Sequence, residues 1–334
     1  VKGGTDVNDV LLNVENLSVA FKYERRYIPV THDVSFQVRS GEILGLVGES
    51  GSGKSVTAKV IMGLLPRGSS KIVSGRVVLE GRDVTKLTPK EFCGLRGKQA
   101  AMIFQEPMTS LNPVYTCGNQ LVEAIRLHQS LSREQAWEAG IEMLRQVGIP
   151  EPQTRMKNYP HEMSGGMRQR VMIAMALCCN PHLLIADEPT TALDPTIQAQ
   201  IIELIKDLQQ KRGMSVLFIS HDLGVIAETC HRVVVLYAGS VMESAPVRTL
   251  FHQPLHPYTK GLIASIPKAG AKVSGRLPSI EGSVPHFTDM PVGCPFHPRC
   301  PYAGERCRQE MPPLTGDETH QVRCFYAEGR NEHA

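Results

Sequence analysis

Gly48-Glu49-Ser50-Gly51-Ser52-Gly53-Lys54-Ser55 lies between an apolar run, Ile43-Leu44-Gly45-Leu46-Val47, and a helix-forming segment, Val56-Thr57-Ala58-Lys59-Val60-Ile61-Met62. Strand, glycine-rich turn and helix in that order are the context a phosphate-binding loop requires. Glycines let consecutive backbone N–H groups curl around phosphate oxygens, and a helix starting near Lys54 adds unsatisfied N–H groups and its positive dipole end. Lys54 is placed to reach β and γ phosphates and Ser55 to ligate Mg²⁺. A chance glycine-serine turn would account for neither the strand before it nor the helix after it.

Working outward, Leu11–Phe21 and Val34–Val38 alternate imperfectly and are expected as strands of an antiparallel sheet. The charged segment between them, Lys22–Asp33, is expected as a loop, and Val77–Asp83 as a short strand ending in a turn. Ala100–Phe104 has the continuous apolar character of a buried parallel strand and ends at Gln105. Cys117–Gln129 and Ser132–Val147 have a helical pattern, the second with Ser132 and Gln135 at capping-box spacing, so residues 107–160 are expected as a helical insertion. Met167–Cys179 is expected as an apolar helix after Ser164-Gly165-Gly166, and Leu183–Ala186 as a strand closing on Asp187-Glu188. Ile197, Ile201, Ile205 and Leu208 then mark one stripe of a further helix. Ser215–Ile219 and Arg232–Tyr237 follow as strands, the first ending at Ser220-His221-Asp222. Buried strands alternating with helices describe an open α/β sheet whose ligand sits beyond the carboxyl ends of its strands. After about residue 240 prolines recur up to Pro313 and long periodic runs cease, which marks a C-terminal extension.

Within 334 residues there is room for one large domain with an appendage, or for two domains. No run approaches the ~18 consecutive apolar residues of a membrane span. A formal charge of +3, from 36 basic and 33 acidic side chains, is too balanced to argue for a nucleic-acid partner. The opening VKGGTDVNDV lacks the apolar core of a signal peptide, so the nine cysteines are expected in a reducing compartment rather than in a disulfide scaffold. Cys93, Cys117, Cys178, Cys179 and Cys230 are scattered, whereas Cys294, Cys300, Cys307 and Cys324 gather in the proline-rich tail. Their spacings, x5, x6 and x16, differ from the CxxC rhythm of common zinc sites, and four thiolates could hold Zn²⁺ or an iron–sulfur cluster.

Asp187 is placed to hold the Mg²⁺ shell and Glu188 to polarise an attacking water. For either acid alone a solvated turn is the simpler account, but a phosphate loop upstream supplies no general base of its own. Gln105 and His221, each at a strand end, carry donors and acceptors able to sense a γ-phosphate. Met163-Ser164-Gly165-Gly166-Met167-Arg168-Gln169-Arg170 is a second glycine-rich helix start and thus a second anion site. Two such helix starts with a single lysine-bearing loop point to a dimer in which each nucleotide is sandwiched between the loop of one subunit and the Ser-Gly-Gly of the other.

This constellation resembles the nucleotide-binding subunit of ATP-binding-cassette (ABC) transporters, and within them the peptide and nickel importer branch, the D-type ATPase of dipeptide and oligopeptide permeases. The resemblance covers essentially the whole chain. It implies a P-loop NTPase fold of the ABC type, α/β, with an antiparallel β subdomain, a helical subdomain and a small Cys-containing extension. The implied limits are 9–240 for the nucleotide-binding domain and 241–334 for the extension. It makes Gly48–Ser55 the Walker A loop, Gln105 the Q-loop glutamine, Ser164-Gly165-Gly166 the signature and Leu183–Asp187 the Walker B strand. Glu188 becomes the catalytic glutamate, Ala192-Leu193-Asp194 the D-loop and His221 the switch histidine. Contacts to ATP are then expected at Gly48, Ser50, Gly51, Gly53, Lys54, Ser55, Val56, Ser164, Gly165, Gly166 and Asp194, and to Mg²⁺ at Ser55, Gln105 and Asp187. Phe21 is the expected adenine-stacking ring, with Tyr23 second; a flat ring suffices for stacking. Met163 and Met167 stand where the usual signature has Leu and Gln, and the intact Ser-Gly-Gly implies active hydrolysis.

The resemblance also implies that Gln105 and Glu106–Pro113 join the core to a subdomain that docks a membrane subunit. Four tail cysteines after a motif like His256-Pro257-Tyr258-Thr259 imply a [4Fe–4S] cluster, with Zn²⁺ or empty thiols as alternatives. Implied partners are a second, non-identical ATPase, two multispanning permease subunits and an extracytoplasmic solute-binding protein at the cytoplasmic face of the cell membrane. The implied cargo is a di- or oligopeptide, then nickel, glutathione or another small solute. A soluble cassette ATPase acting on nucleic acid or ribosomes would need paired cassettes or coiled-coil arms. A small-molecule kinase would leave Gln105, the Ser-Gly-Gly and His221 unexplained.

Overall fold

The computed structural model describes residues 10–105, 110–191, 193–266, 279–317 and 319–327. In chain order the first half comprises β1 (Val10–Tyr23), β2 (Arg26–Arg39), β3 (Ile43–Val47), α1 (Lys54–Ile61), β4 (Ser70–Leu79), β5 (Arg82–Asp83), α2 (Pro89–Leu95), β6 (Ala100–Ile103), α3 (Cys117–His128), α4 (Arg133–Gln146) and α5 (Pro152–Arg155). The second half comprises α6 (Gly165–Leu177), β7 (Leu183–Asp187), α7 (Pro195–Arg212), β8 (Ser215–Ser220), α8 (Leu223–Thr229), β9 (Arg232–Tyr237), β10 (Ser240–Pro246), α9 (Val247–His252), α10 (Pro257–Ala264), α11 (Glu305–Gln309), β11 (Thr315–Gly316) and β12 (Gln321–Val322). These elements fall into two compact units, one built from Arg39–Glu42 and Lys86–Leu217, the other from Val10–Val38, Ile43–Thr85 and the chain from Phe218 onward. β8 carries the chain from the first to the second.

In the first unit β6 and β7 pair in parallel, Ala100 opposite Leu183 and Ile103 opposite Ala186, and both strands are wholly buried. A parallel pair covered on both faces reads as a continuous apolar run, as both do. α6 packs on β6, and α3 and α4 of the expected insertion pack on α6. Ser132 accepts from the Gln135 N–H at 3.2 Å while Gln135 Oε1 accepts from the Ser132 N–H at 2.9 Å, which is the capping box the spacing predicts. α7 starts with Asp194 capping and Pro195 in its first turn, and it buries Ile201, Ile205 and Leu208 from the expected stripe.

The second unit holds an antiparallel sheet, ordered β2-β1-β4-β5, with Leu12 opposite Leu79 and Val14 opposite Val77. Here the expected loop over Lys22–Asp33 is corrected: β1 and β2 continue through most of it and only the Glu24 turn, at φ 52°, interrupts them. Charge and Pro29 hid the first part of β2, which lies at the sheet edge, where proline costs no ladder bond and charged side chains face water. A second set of strands in the same unit runs β11-β12-β10-β9-β3, with β3 parallel to β9 and the others antiparallel. All five residues of β3 are buried, and this strand delivers the chain to the phosphate loop.

Besides the β10–β12 pairing, one acid on β10 ties the extension down. Glu243, fully buried, accepts from the N–H groups of Leu255 and His256 at 2.8 and 2.9 Å and pairs with His320 Nε2 at 2.8 Å. Burial pushes its carboxyl up, but the His320 and backbone hydrogen bonds outweigh this and hold it below the usual range. His256 in turn caps α10, its Nδ1 accepting from the Tyr258 N–H at 3.0 Å, and burial lowers the imidazole to about 4. Among the described residues no helix is long and apolar enough to cross a membrane.

The unfolded chain protonates His256 near 6.5 and the folded chain near 4, so between these values the unfolded state binds more protons and stability falls as pH falls. Such a shift is worth on the order of 3 kcal/mol. Thermal midpoints measured from pH 7 to pH 4 should therefore decline, and His256→Asn, which retains a capping acceptor, should flatten the decline; an unchanged slope would remove His256 as its source.

Candidate functional site

The phosphate loop belongs to the second unit. Its first glycine is required by close approach: a Cβ at Gly48 would stand 2.1 Å from the Leu236 carbonyl oxygen of β9. The turn after β9 adds a second tether, the Gly239 N–H donating to Ser52 O at 3.1 Å. Ser50 and Gly51 are exposed at the tip, whereas Lys54 is buried and Ser55 and Val56 are half-buried at the start of α1. α1 is capped by Gly53 without any side-chain hydrogen bond, and its first turn holds no acid. Its leading amides are thus not taken up by a side-chain cap, a condition that favours an anion at a helix start. Lys54 Nζ donates to the Gly48 and Glu49 carbonyls at 2.6 and 2.9 Å and to Ser52 Oγ at 3.3 Å, so the cation lies inside the cradle. The residues fit a bound polyphosphate.

Below this loop, Tyr237, Tyr258 and Phe296 form a buried aromatic cluster with ring centroids 4.7, 5.2 and 5.4 Å apart. Tyr258 Oη accepts from the Glu49 N–H at 3.0 Å, and Arg299 Nη1 donates to both Glu49 carboxylate oxygens at 3.1 Å. These contacts join residues 209 and 250 positions apart, and local sequence patterns gave no sign of them. Phe21 is half-buried in the last part of β1, opposite Ser70, while Tyr23 is exposed and meets Phe287 edge-on at 5.9 Å. His221 is exposed immediately after β8, and the next residue, Asp222, caps α8 by accepting from Gly224 and Val225.

In the first unit the structure brings Gln105 and Glu188 together: Gln105 Nε2 donates to Glu188 Oε2 at 3.0 Å across 83 positions. Thr191, which sequence reasoning missed, donates its hydroxyl to the same oxygen at 2.9 Å. Glu188 has φ 47°, a left-handed conformation that costs a non-glycine residue about 1–3 kcal/mol and is tolerated where function fixes it. Asp187, one residue earlier, is buried at the end of β7. Gln169 of α6, also missed, reaches the same loop and donates to the Pro189 carbonyl at 2.5 Å.

Ser164 caps α6 by accepting from the Met167 N–H at 3.3 Å. The two glycines after it differ. Among the described residues, a Cβ at Gly165 would meet Leu193 Cδ2 alone, at 3.8 Å, whereas one at Gly166 would meet Ile197 Cγ2 of α7 at 2.9 Å. Gly165 thus leaves the helix start open to a ligand and Gly166 lets two helices close. Asp194 accepts from the Thr196 and Ile197 N–H groups at 3.1 and 3.0 Å, and is first of all the cap of α7. Residues 106–109 and Ala192, parts of the expected docking segment and D-loop, lie outside the described residues.

Cys294, Cys300, Cys307 and Cys324 are all free thiols. The Cys294 N–H donates to the Cys307 carbonyl at 2.9 Å, and burial pushes the Cys294 thiol up to about 11, with the neighbouring thiols of Cys307, Cys324 and Cys300 adding to the rise. They occupy one neighbourhood, yet among the described residues no group of three or more His, Cys, Asp or Glu could hold a metal ion. The donor set suits a metal in kind, but among the described residues no ligand shell is formed either for the expected [4Fe–4S] cluster or for its alternative, Zn²⁺.

Comparison with known proteins gives two family matches, ABC transporter over residues 31–191 and the C-terminal region of oligopeptide/dipeptide transporters over residues 242–307. The probable peptide ABC transporter ATP-binding protein y4tR of Sinorhizobium fredii is 53% identical over 95% of both chains. The oligopeptide transport ATP-binding protein AppD of Bacillus subtilis is 50% identical, covering 95% of this chain and 97% of its own. The dipeptide transport ATP-binding protein DppD of Escherichia coli is 49% identical over 95% and 96%. Among solved structures, the dimeric post-hydrolysis ATP-binding cassette MJ0796 bound to ADP and Pi superposes with TM-score 0.63 at 28% identity, covering 71% of this chain and 99% of that one.

The glycine pair makes a testable distinction. Gly166→Ala should lower stability by about 1–3 kcal/mol through overpacking against Ile197, and Gly165→Ala should leave the thermal midpoint in place or raise it. Equal midpoints for the two variants would contradict the packing role of Gly166.

Proposed function

Because the chain belongs to the ATP-binding subunits of ABC transporters, ATPases with this P-loop fold, we propose that it drives peptide import as the peripheral motor of a membrane complex. The observation that carries the reading is the Gln105–Glu188–Thr191 cluster beside the Walker B strand. Glu188, oriented by two donors on one oxygen, would accept a proton from an attacking water. Gln105 links that base to the helical subdomain, so a change at the γ-phosphate moves both together.

In this reading Lys54 leaves the loop carbonyls for the β and γ phosphates, and the loop and α1 amides at Gly48, Ser50, Gly51, Gly53, Ser55 and Val56 enclose them. Mg²⁺, when bound, supplies charge neutralisation on the transferred phosphoryl group, and Ser55, Gln105 and Asp187 would hold it. His221 contacts the γ-phosphate, Phe21 stacks on adenine, and Ser164, Gly165, Gly166 and Asp194 serve the nucleotide of a partner cassette in a sandwich dimer. The domain limits remain 9–240 and 241–334. A second ATPase, two permease subunits and an extracytoplasmic binding protein at the cytoplasmic face of the membrane complete the machine. Di- or oligopeptide is the favoured cargo, supported by the peptide transport functions in the names of all three relatives.

For the tail, we infer that the four cysteines hold a [4Fe–4S] cluster rather than Zn²⁺. What supports the reading is the donor chemistry, four unpaired thiols gathered in one segment, the ligand type such a cluster takes.

Two measurements test these readings. In the reconstituted complex Glu188→Gln should bind ATP yet reduce phosphate release by at least about a hundredfold, trapping the closed dimer; release at the normal rate would sink the base assignment. Protein purified without oxygen should contain about four iron and four sulfide per chain; zinc alone, or neither metal, would overturn the cluster.

A further inference from the structure

Glu49 places a carboxylate inside a loop built to receive a polyanion. Its three polar groups are all engaged: the N–H with Tyr258 Oη at 3.0 Å, the carbonyl with Lys54 Nζ at 2.9 Å, and the carboxylate with Arg299 Nη1 at 3.1 Å to each oxygen. The Arg299 side chain is only 6% exposed and that of Glu49 30%, so the pair is largely removed from the screening of bulk water. Arg299 is fixed from several sides at once. Its Nη1 also donates to Tyr237 Oη at 3.3 Å, Nη2 to the Ile280 carbonyl at 3.2 Å and Nε to the Glu281 carbonyl at 2.9 Å, while the Tyr237 ring lies 5.7 Å from the guanidinium. Burial alone would weaken this cation, but its bonds to Tyr237 and Glu49 outweigh that and raise its proton affinity.

We propose that Arg299 is a positioning residue for ATP binding: it cancels the Glu49 charge beside the phosphates and, with Tyr258, fixes the Gly48-Glu49 peptides on which Lys54 rests. The extension thereby contributes to the nucleotide site through Glu49. Without Arg299 the carboxylate would repel the triphosphate and be free to draw Lys54 toward itself. With it, the Gly48 and Glu49 carbonyls and the Ser52 hydroxyl on which Lys54 rests stay in place, and the Glu49 carboxylate does not compete with a phosphate for the lysine. The inference rests on the ATPase reading and adds a residue outside the cassette motifs to it.

The test uses the full chain with ATP and Mg²⁺ as probe, binding measured by calorimetry and the KM for ATP measured in the assembled complex. Arg299→Gln should weaken MgATP binding about tenfold, the size of one lost charge-assisted interaction, raising KM while kcat is retained. Adding Glu49→Gln should restore binding to within about threefold of the parent, and raising the salt concentration should shrink the defect of the single variant. Rescue by removing the second charge is an outcome that damage to packing cannot give. A double variant no better than Arg299→Gln, or a single variant that binds normally, would overturn the proposal. Should Arg299→Gln not fold, Arg299→Lys serves: it keeps the charge and should bind within about threefold of the parent in low salt, and a loss of tenfold or more would refute charge cancellation. If the parent chain itself binds no MgATP, the ATPase reading falls; if it binds and the variants do not differ, only the role of Arg299 falls.

Discussion

At Gly48 the phosphate loop runs so close to β9 that the Leu236 carbonyl oxygen occupies the place of a Cβ. A loop that must offer N–H groups to a ligand can spend only some of them on its own scaffold, here Glu49 on Tyr258 and Ser52 on the Glu49 carbonyl, so it is held mostly by other means. Backbone contact with β9, the Gly239 N–H on Ser52, and Tyr258 and Arg299 on Glu49 supply that support. The preceding strand is buried along its whole length and gives the loop a fixed start. In the second unit, then, the residues that surround the phosphate site are organised by one requirement, a rigid backbone with its donors left over.

The first unit answers a different requirement, the placement of a base. β7 delivers Asp187 buried and then turns through a left-handed Glu188 whose carboxylate receives Gln105 and Thr191. A side chain held in a sparsely populated backbone region keeps its aim only if its surroundings over-determine it. Gln169, donating to the Pro189 carbonyl, ties the helix behind the Ser-Gly-Gly to that same turn.

How much of this could be read in advance follows from range. The strand-turn-helix of the phosphate loop, the capping box at Ser132 and the stripe on α7 are local patterns, and each appears as expected. The first part of β2, before the expected Val34–Val38, was hidden because an edge strand tolerates the charges and the proline that elsewhere mark a loop. Thr191 and Gln169 sat beside recognised motifs and could have been suspected from their polar side chains within apolar or proline-rich surroundings. Arg299 and Tyr258 could not, since no periodicity connects residue 49 with residues 258 and 299. The carboxylate at Glu49 was the available clue, an anion in an anion site that calls for a cation from somewhere.

The tight seat of Gly166 against Ile197 carries an evolutionary corollary. Selection for helix closure alone would preserve this glycine in a descendant that had ceased to turn over nucleotide. A retained Ser-Gly-Gly is thus poor testimony that a cassette is alive, whereas Gly165, spared any packing duty by its open surroundings, is the position where decay should first leave its mark.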